Sequence, residues 1–187
     1  AANGYGFTSG ASHLSGTGTP EGVVTAAPGS TWLQTDSTTD VKGWLRWIKA
    51  TGTGNTGWVA GPEADTGWRD VSASLDATFK TNNANATLLV RRLGARVEWM
   101  LNETVAGSTT GTATLWTTVP SGFRPLSSPG IAAVACLNPN SGLPISESLY
   151  INVSTMYGFG WTAVRHYALL AYSTLDAWPT SLPGSAV

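Results

Sequence analysis

The stretch from 44 to 70, WLRWIKATGTGNTGWVAGPEADTGWRD, sets four tryptophans (Trp44, Trp47, Trp58, Trp68) among glycine turns at Gly52, Gly54, Gly57, Gly61 and Gly67. Glycine reaches backbone conformations closed to other residues, and each indole has a large flat area to bury. Such a stretch turns, is pinned by a ring, and turns again. Thr-Gly-Trp occurs twice, at 56–58 and 66–68. The stretch reads as a joint between a small N-terminal module and a larger C-terminal domain.

On either side of the joint the apolar pattern is that of short strands. Residues 1–19 are rich in Gly, Ser and Ala. They read as a linker or an arm that packs on another chain, with His13 solvated. Residues 20–66 form a small Trp/Gly-rich module, a β-meander of VVTAA, STWLQTD and VKGWLRWIKA. Residues 67–187 read as a β-sandwich or jelly-roll-like domain of seven or eight short strands,. Its clearest hairpin joins TLLVRRL to RVEWMLNETV at Gly94-Ala95, with Val97, Trp99 and Leu101 on the core side and Arg91 and Arg92 on opposite faces. GIAAVACL reads as a strand buried on both faces, STMYGFG as a loop, and 80–85 as another loop. The predicted fold class is therefore all-β, with no helix.

In VKGWLRWIKA, Trp44 and Ile48 share one strand face, and Leu45 and Trp47 share the other. A three-stranded meander covers only one face, so this pattern predicts an oligomer, most simply a homotrimer with Trp32, Trp44 and Trp47 at its interface. The alternative is that the C-terminal domain folds back over the second face, and a monomer suffices.

Composition narrows the function classes. Charged residues make up 11% of the chain, against roughly 25% in an average soluble domain; Thr, Ser and Gly supply the polarity instead. With a net charge of −1 and no basic face, nucleic acid is not an expected partner. A single cysteine, Cys136, forms no intrachain disulfide and reads as a small buried residue. No run is long and apolar enough for a membrane span, and AANGYGFTSG has no charged-then-apolar leader pattern.

Catalytic signatures are missing as well. There is no G-x-S-x-G elbow, and His13, His166 and Cys136 are too scattered for a zinc site,. TGTGNTG at 51–57 lacks the lysine and the following helix of a phosphate loop. The acids sit in turns (Asp36, Asp40, Glu63, Asp65) or on a strand face (Glu98). The expectation is a non-enzyme with no cofactor and no metal. Sugar binding suits the residues better, because rings stack on sugar faces while Asn, Ser and Thr reach hydroxyls. The stretch 154–161 offers Tyr157, Phe159 and Trp161, with Arg165 and His166 just beyond, as a receptor-binding platform. The alternative is that these rings pack into the sandwich end or a subunit seam.

PEGVVTAAPGSTWLQTD, WIKATGTGNTGW and DTGWRDVSASL resemble distal modules of bacteriophage minor tail proteins and tail fibres, most of all those of phages infecting actinobacteria. LLVRRLGARVEWMLN, TVPSGFRP and DAWPTSLPGSAV are similar to the C-terminal domains of such proteins, so the likeness covers most of 19–187. The resemblance implies a homotrimer in the virion, at the tail tip or fibre, that joins other virion proteins through its N-terminal arm and binds a host cell-surface glycan. The alternatives it leaves are a structural head fibre or capsid decoration protein, and a glycan-degrading spike domain.

Overall fold

The computed structural model describes residues 3–6, 10–104, 112–116, 118–126, 136–137, 144–145, 148–152, 154–159 and 165–187. Over these residues the protein is all-β, with one short α-helix.

The first sheet keeps its five strands in sequence order: β1 (Asn3–Gly6), β2 (Ser12–Gly16), β3 (Thr31–Gln34), β4 (Leu45–Lys49) and β5 (Trp58–Ala60). Two expectations are corrected. Residues 1–19 are not a linker, because two of their segments are strands of this sheet. The unit is also not a simple meander, because β2 and β3 run parallel while the other pairs are antiparallel. A strand ladder is held by backbone groups, which a Gly- and Ser-rich segment supplies as well as an apolar one. Gly16 also makes room for a ring: a Cβ there would lie 2.5 Å from Cη2 of Trp32. VVTAA, read as a strand, instead follows a turn in which the N–H groups of Val23 and Val24 both donate to Pro20 O.

The second unit is a sandwich. One layer orders β14 (Arg165–Ser173), β8 (Arg96–Thr104), β7 (Thr87–Leu93), β6 (Arg69–Asp70) and β15 (Ser185–Ala186). The other orders β12 (Ser148–Asn152), β13 (Thr155–Phe159) and β9 (Thr112–Trp116). A further pair joins β10 (Cys136–Leu137) to β11 (Pro144–Ile145). The expected β7–β8 hairpin forms, and Val97, Trp99 and Leu101 are fully buried in the shared core with Leu115, Leu149, Ile151 and Met156 from the opposite layer. Trp99 meets Trp116 edge to face, with ring centroids 5.5 Å apart.

Local chemistry explains the remaining differences. No helix was expected, yet α1 covers Ala77–Asn82, because the Asp76 carboxylate caps it by accepting from the N–H groups of Thr78 and Phe79,. The Phe79 ring then anchors α1 in the core. WRDVSASL pairs only over Arg69–Asp70. The Asp70 carboxylate then accepts from both the N–H and the hydroxyl of Ser72, and this bends the chain into a 3-10 turn at Ser72–Ser74,. STMYGFG is not a loop, since β13 pairs through it with both β12 and β9. Most of GIAAVACL falls outside the described residues.

Candidate functional site

The segment that follows β14 closes the two units against each other. Trp178 is buried in one cluster with Trp32, Leu45, Trp47, Trp58 and Ala64. Each of the four indole N–H groups in this cluster has an acceptor. Trp32 donates to Gly18 O (3.1 Å), Trp47 to Gln34 Oε1 (3.1 Å), Trp58 to Val24 O (2.9 Å) and Trp178 to Thr39 Oγ1 (3.0 Å). Each ring therefore fills the core, and those of Trp32, Trp58 and Trp178 also tie down a piece of irregular chain,.

Arg92 holds the segment from the sandwich side. It sits on the core-facing side of β7, opposite Arg91, as the alternation predicts,. Its guanidinium donates to the carbonyls of Gly94 (2.8 Å), Gly122 (2.6 Å), Ala177 (2.8 Å) and Asp176 (2.9 Å), and lies 5.1 Å from the centre of the Trp178 ring. Burial pulls its pKa down to about 10, with Asp176 opposing the shift, so it stays charged at neutral pH. Arg91, on the outer face, grips Asp65 through two hydrogen bonds of 2.9 and 2.5 Å. The Arg91 hydrogen bond is the largest of the influences that hold the Asp65 carboxyl below its ordinary value of 3.8. Gly94 at the hairpin tip abuts Pro62, whose O would lie 2.8 Å from a Cβ, and its φ of +52° also favours glycine,.

Lys49 was not singled out by the sequence. It is almost fully buried, and its ammonium donates to Gly54 O (2.8 Å) and to Thr56 O, with the Trp58 ring 5.7 Å away. The 51–57 loop thus turns carbonyls toward a cation, the reverse polarity of a phosphate cradle. The loop's N–H groups at Gly57, and at Trp58 just beyond, go to the Glu21 carboxylate. A lysine ending an alternating apolar strand, two residues after a buried tryptophan, was the signal available.

Two depressions flank the connection between β3 and β4. The open one, about 470 Å³, is lined by Leu33, Thr35, Lys42, Gly43 and Trp44. Trp44 is 38% exposed, with the Lys42 ammonium 4.9 Å from its ring centre. That ammonium is already occupied by the Asp40 carboxylate (3.1 Å) and Glu63 O (2.8 Å). Arg46 likewise pairs with Glu63. The narrower depression, about 150 Å³, lies between Thr19, Gln34, Thr38, Thr39 and Trp47 on one side and Trp178, Pro179 and Thr180 on the other.

The predicted interface tryptophans are split by the fold. Trp32 and Trp47 lie on the inner face and are covered by this same chain, whereas Trp44 lies at the surface. The fold-back alternative accounts for the inner face, and Trp178 is the residue that does it. Of the predicted receptor platform, Tyr157 is half-buried on β13, Phe159 ends that strand, and Arg165 and His166 open β14; Trp161 falls outside the described residues. Tyr157 and Trp44 belong to different units and form no common site.

Comparison with known proteins finds no matching family model, no matching curated protein and no matching solved structure.

Proposed function

We propose that this chain is a non-enzymatic attachment protein of a bacteriophage virion, a fibre or minor tail protein that binds a host cell-surface glycan. The family reading rests on the resembling stretches at 20–36, 47–58 and 65–75. The observation that carries the binding reading is the open depression around Trp44. It combines an exposed indole, a threonine hydroxyl and a single cation that is already neutralised within the chain. A phosphate or carboxylate finds no available positive partner there, whereas a neutral sugar chain can stack on the ring and reach the hydroxyl. The test is binding of the labelled, intact chain to host cells and to purified cell-wall polysaccharide. Trp44→Ala is expected to weaken it by about tenfold, roughly 1.4 kcal/mol. Equal binding by the variant overturns the site, and no binding by the parent chain overturns the function. Release of sugar fragments during incubation turns the reading to a glycan-degrading spike.

Assembly as a homotrimer belongs to the same proposal. On the outer face of the larger sandwich layer, Leu169, Met100 and Leu89 stand in register across three strands, with Tyr167 beside them. Leu169 is 59% exposed. Arg91 and Glu98, the charges flanking this row, are paired within the chain to Asp65 and Arg96, so a second copy meets little repulsion. Contiguous apolar faces of this kind are covered in assemblies. Sedimentation of the intact chain at micromolar concentration checks it: a trimer is expected, and a monomer overturns it.

A further inference from the structure

We propose that the narrow cleft between the first sheet and the C-terminal segment binds one neutral sugar ring, and that its occupancy locks the two units together. This rests on the glycan-binding reading and adds a second, end-recognising subsite to it.

The volume sets the class. At about 150 Å³, against about 470 Å³ for the open depression, the cleft is of a size to take one six-membered ring. The open depression beside Trp44 suits a length of glycan, and the narrower cleft suits its end.

The lining sets the chemistry. None of its residues carries a charge, so an ionised ligand would be desolvated without a counter-charge. Four threonines (Thr19, Thr38, Thr39 and Thr180) and two tryptophans line the space. Thr39 accepts from the Trp178 indole, which leaves its own proton to donate,. The hydroxyls of Thr38 and Thr180 make no hydrogen bond to any described residue. A purely apolar ligand would cover Thr39 without replacing its bonds to water. A sugar ring matches both halves of the wall, because its hydroxyls serve as donors and acceptors and its C–H edges lie against the indoles.

The position sets the consequence. Thr19, Gln34, Thr38, Thr39 and Trp47 belong to the first unit, whereas Trp178, Pro179 and Thr180 come from the far end of the chain. A ligand that touches both walls binds only the docked arrangement, and so it stabilises that arrangement in proportion to its occupancy.

The test uses the intact chain with methyl glycosides of glucose, galactose, mannose and N-acetylglucosamine, and with glucuronic acid as the charged counterpart. Ligand-observed saturation-transfer NMR reads binding, and the indole N–H resonances of Trp47 and Trp178 report its place. At least one neutral glycoside is expected to bind saturably, shift those two resonances and raise the Tm. Thr38→Trp fills the mouth from an exposed position, so the fold survives it, and it is expected to weaken that binding by about tenfold. The inference is overturned if no neutral glycoside binds, if Thr38→Trp binds as the parent does, or if glucuronic acid binds equally well. Cell binding is scored in parallel. Cells without monosaccharide overturns the cleft and keeps the attachment reading; monosaccharide without cells keeps the cleft and overturns attachment.

Discussion

In the sandwich, burial comes mainly from aliphatic side chains at alternate strand positions, with Val90, Val97, Leu101, Ile151 and Leu170 as examples. In the N-terminal unit, four of the six buried apolar residues in its described cluster are tryptophans, and one of those four comes from position 178. A small sheet with short strands cannot enclose enough aliphatic volume to be stable by itself. Large rings fill it with few residues, and each indole N–H adds a directed bond, three of them to loop residues. The larger unit closes on itself, while the smaller one is closed by the far end of the chain. The depressions that carry the functional reading lie in and beside that closure.

The strongest way to break this comparison from the sandwich side is Trp99→Ala. The ring is fully buried and donates to the Tyr172 hydroxyl at 2.8 Å. That hydroxyl donates in turn to Phe123 O, and burial is the main cause raising its pKa. Loss of the ring is expected to cost about 3–5 kcal/mol in chemical denaturation. An unchanged midpoint would mean that the sandwich core is not organised around it.

Arg92→Lys addresses the link between the two units. A lysine keeps the charge but cannot span four carbonyls with a planar fork, so about 2–3 kcal/mol is expected to be lost. Limited proteolysis should then cut first in the segment around Asp176 and Ala177. Cleavage at the same sites as in the parent would show that Arg92 is not what holds that segment.

A smaller effect is expected from Asp65→Asn. The folded carboxyl titrates below its ordinary value of 3.8, chiefly through its hydrogen bonds with Arg91. Its contribution is therefore present above about pH 4 and is lost as the pH falls through the depressed value. The variant should be less stable by about 1 kcal/mol at neutral pH and should show a shallower fall between neutral pH and pH 3. An acid limb as steep as the parent's would remove this ion pair from the account of the joint. The smallest stability change is expected for Trp44→Ala, under about 0.5 kcal/mol, since the ring is at the surface. A large loss of Tm would make Trp44 part of the core and not of a binding face.

Strand periodicity made much of the sandwich legible. Val97, Trp99 and Leu101 fell on the core side because residues two apart share a face, and the Arg91–Arg92 split followed from the same rule. The smaller unit was harder to read. Nothing in 1–16 alternates in hydropathy, yet backbone pairing, with Leu14 resting on the tryptophan cluster, joins two of its segments to the sheet. Helix α1 depends on one side-chain cap at Asp76, and a six-residue element has too few positions for a period to show,. Trp47 and Trp58 of the buried cluster lie in the Trp/Gly-rich stretch that the sequence singles out. The ring that Trp178 adds to them could not be placed there from sequence, because a contact with Thr39 across 139 positions leaves no trace in local pattern. Alternation puts Trp44 and Trp47 on opposite strand faces, but which face is the inner one follows only from the packing of the fold,.

The most direct test of the claim that the far end of the chain completes the N-terminal core is hydrogen exchange at the indole N–H groups in Trp178→Ala, resolved ring by ring with ¹⁵N-labelled tryptophan. The expected result is a large loss of protection at Trp32, Trp47 and Trp58, while the indole of Trp99 keeps its parental exchange rate. If Trp32, Trp47 and Trp58 stay as protected as in the parent chain, the N-terminal unit closes without Trp178, and the central claim is contradicted.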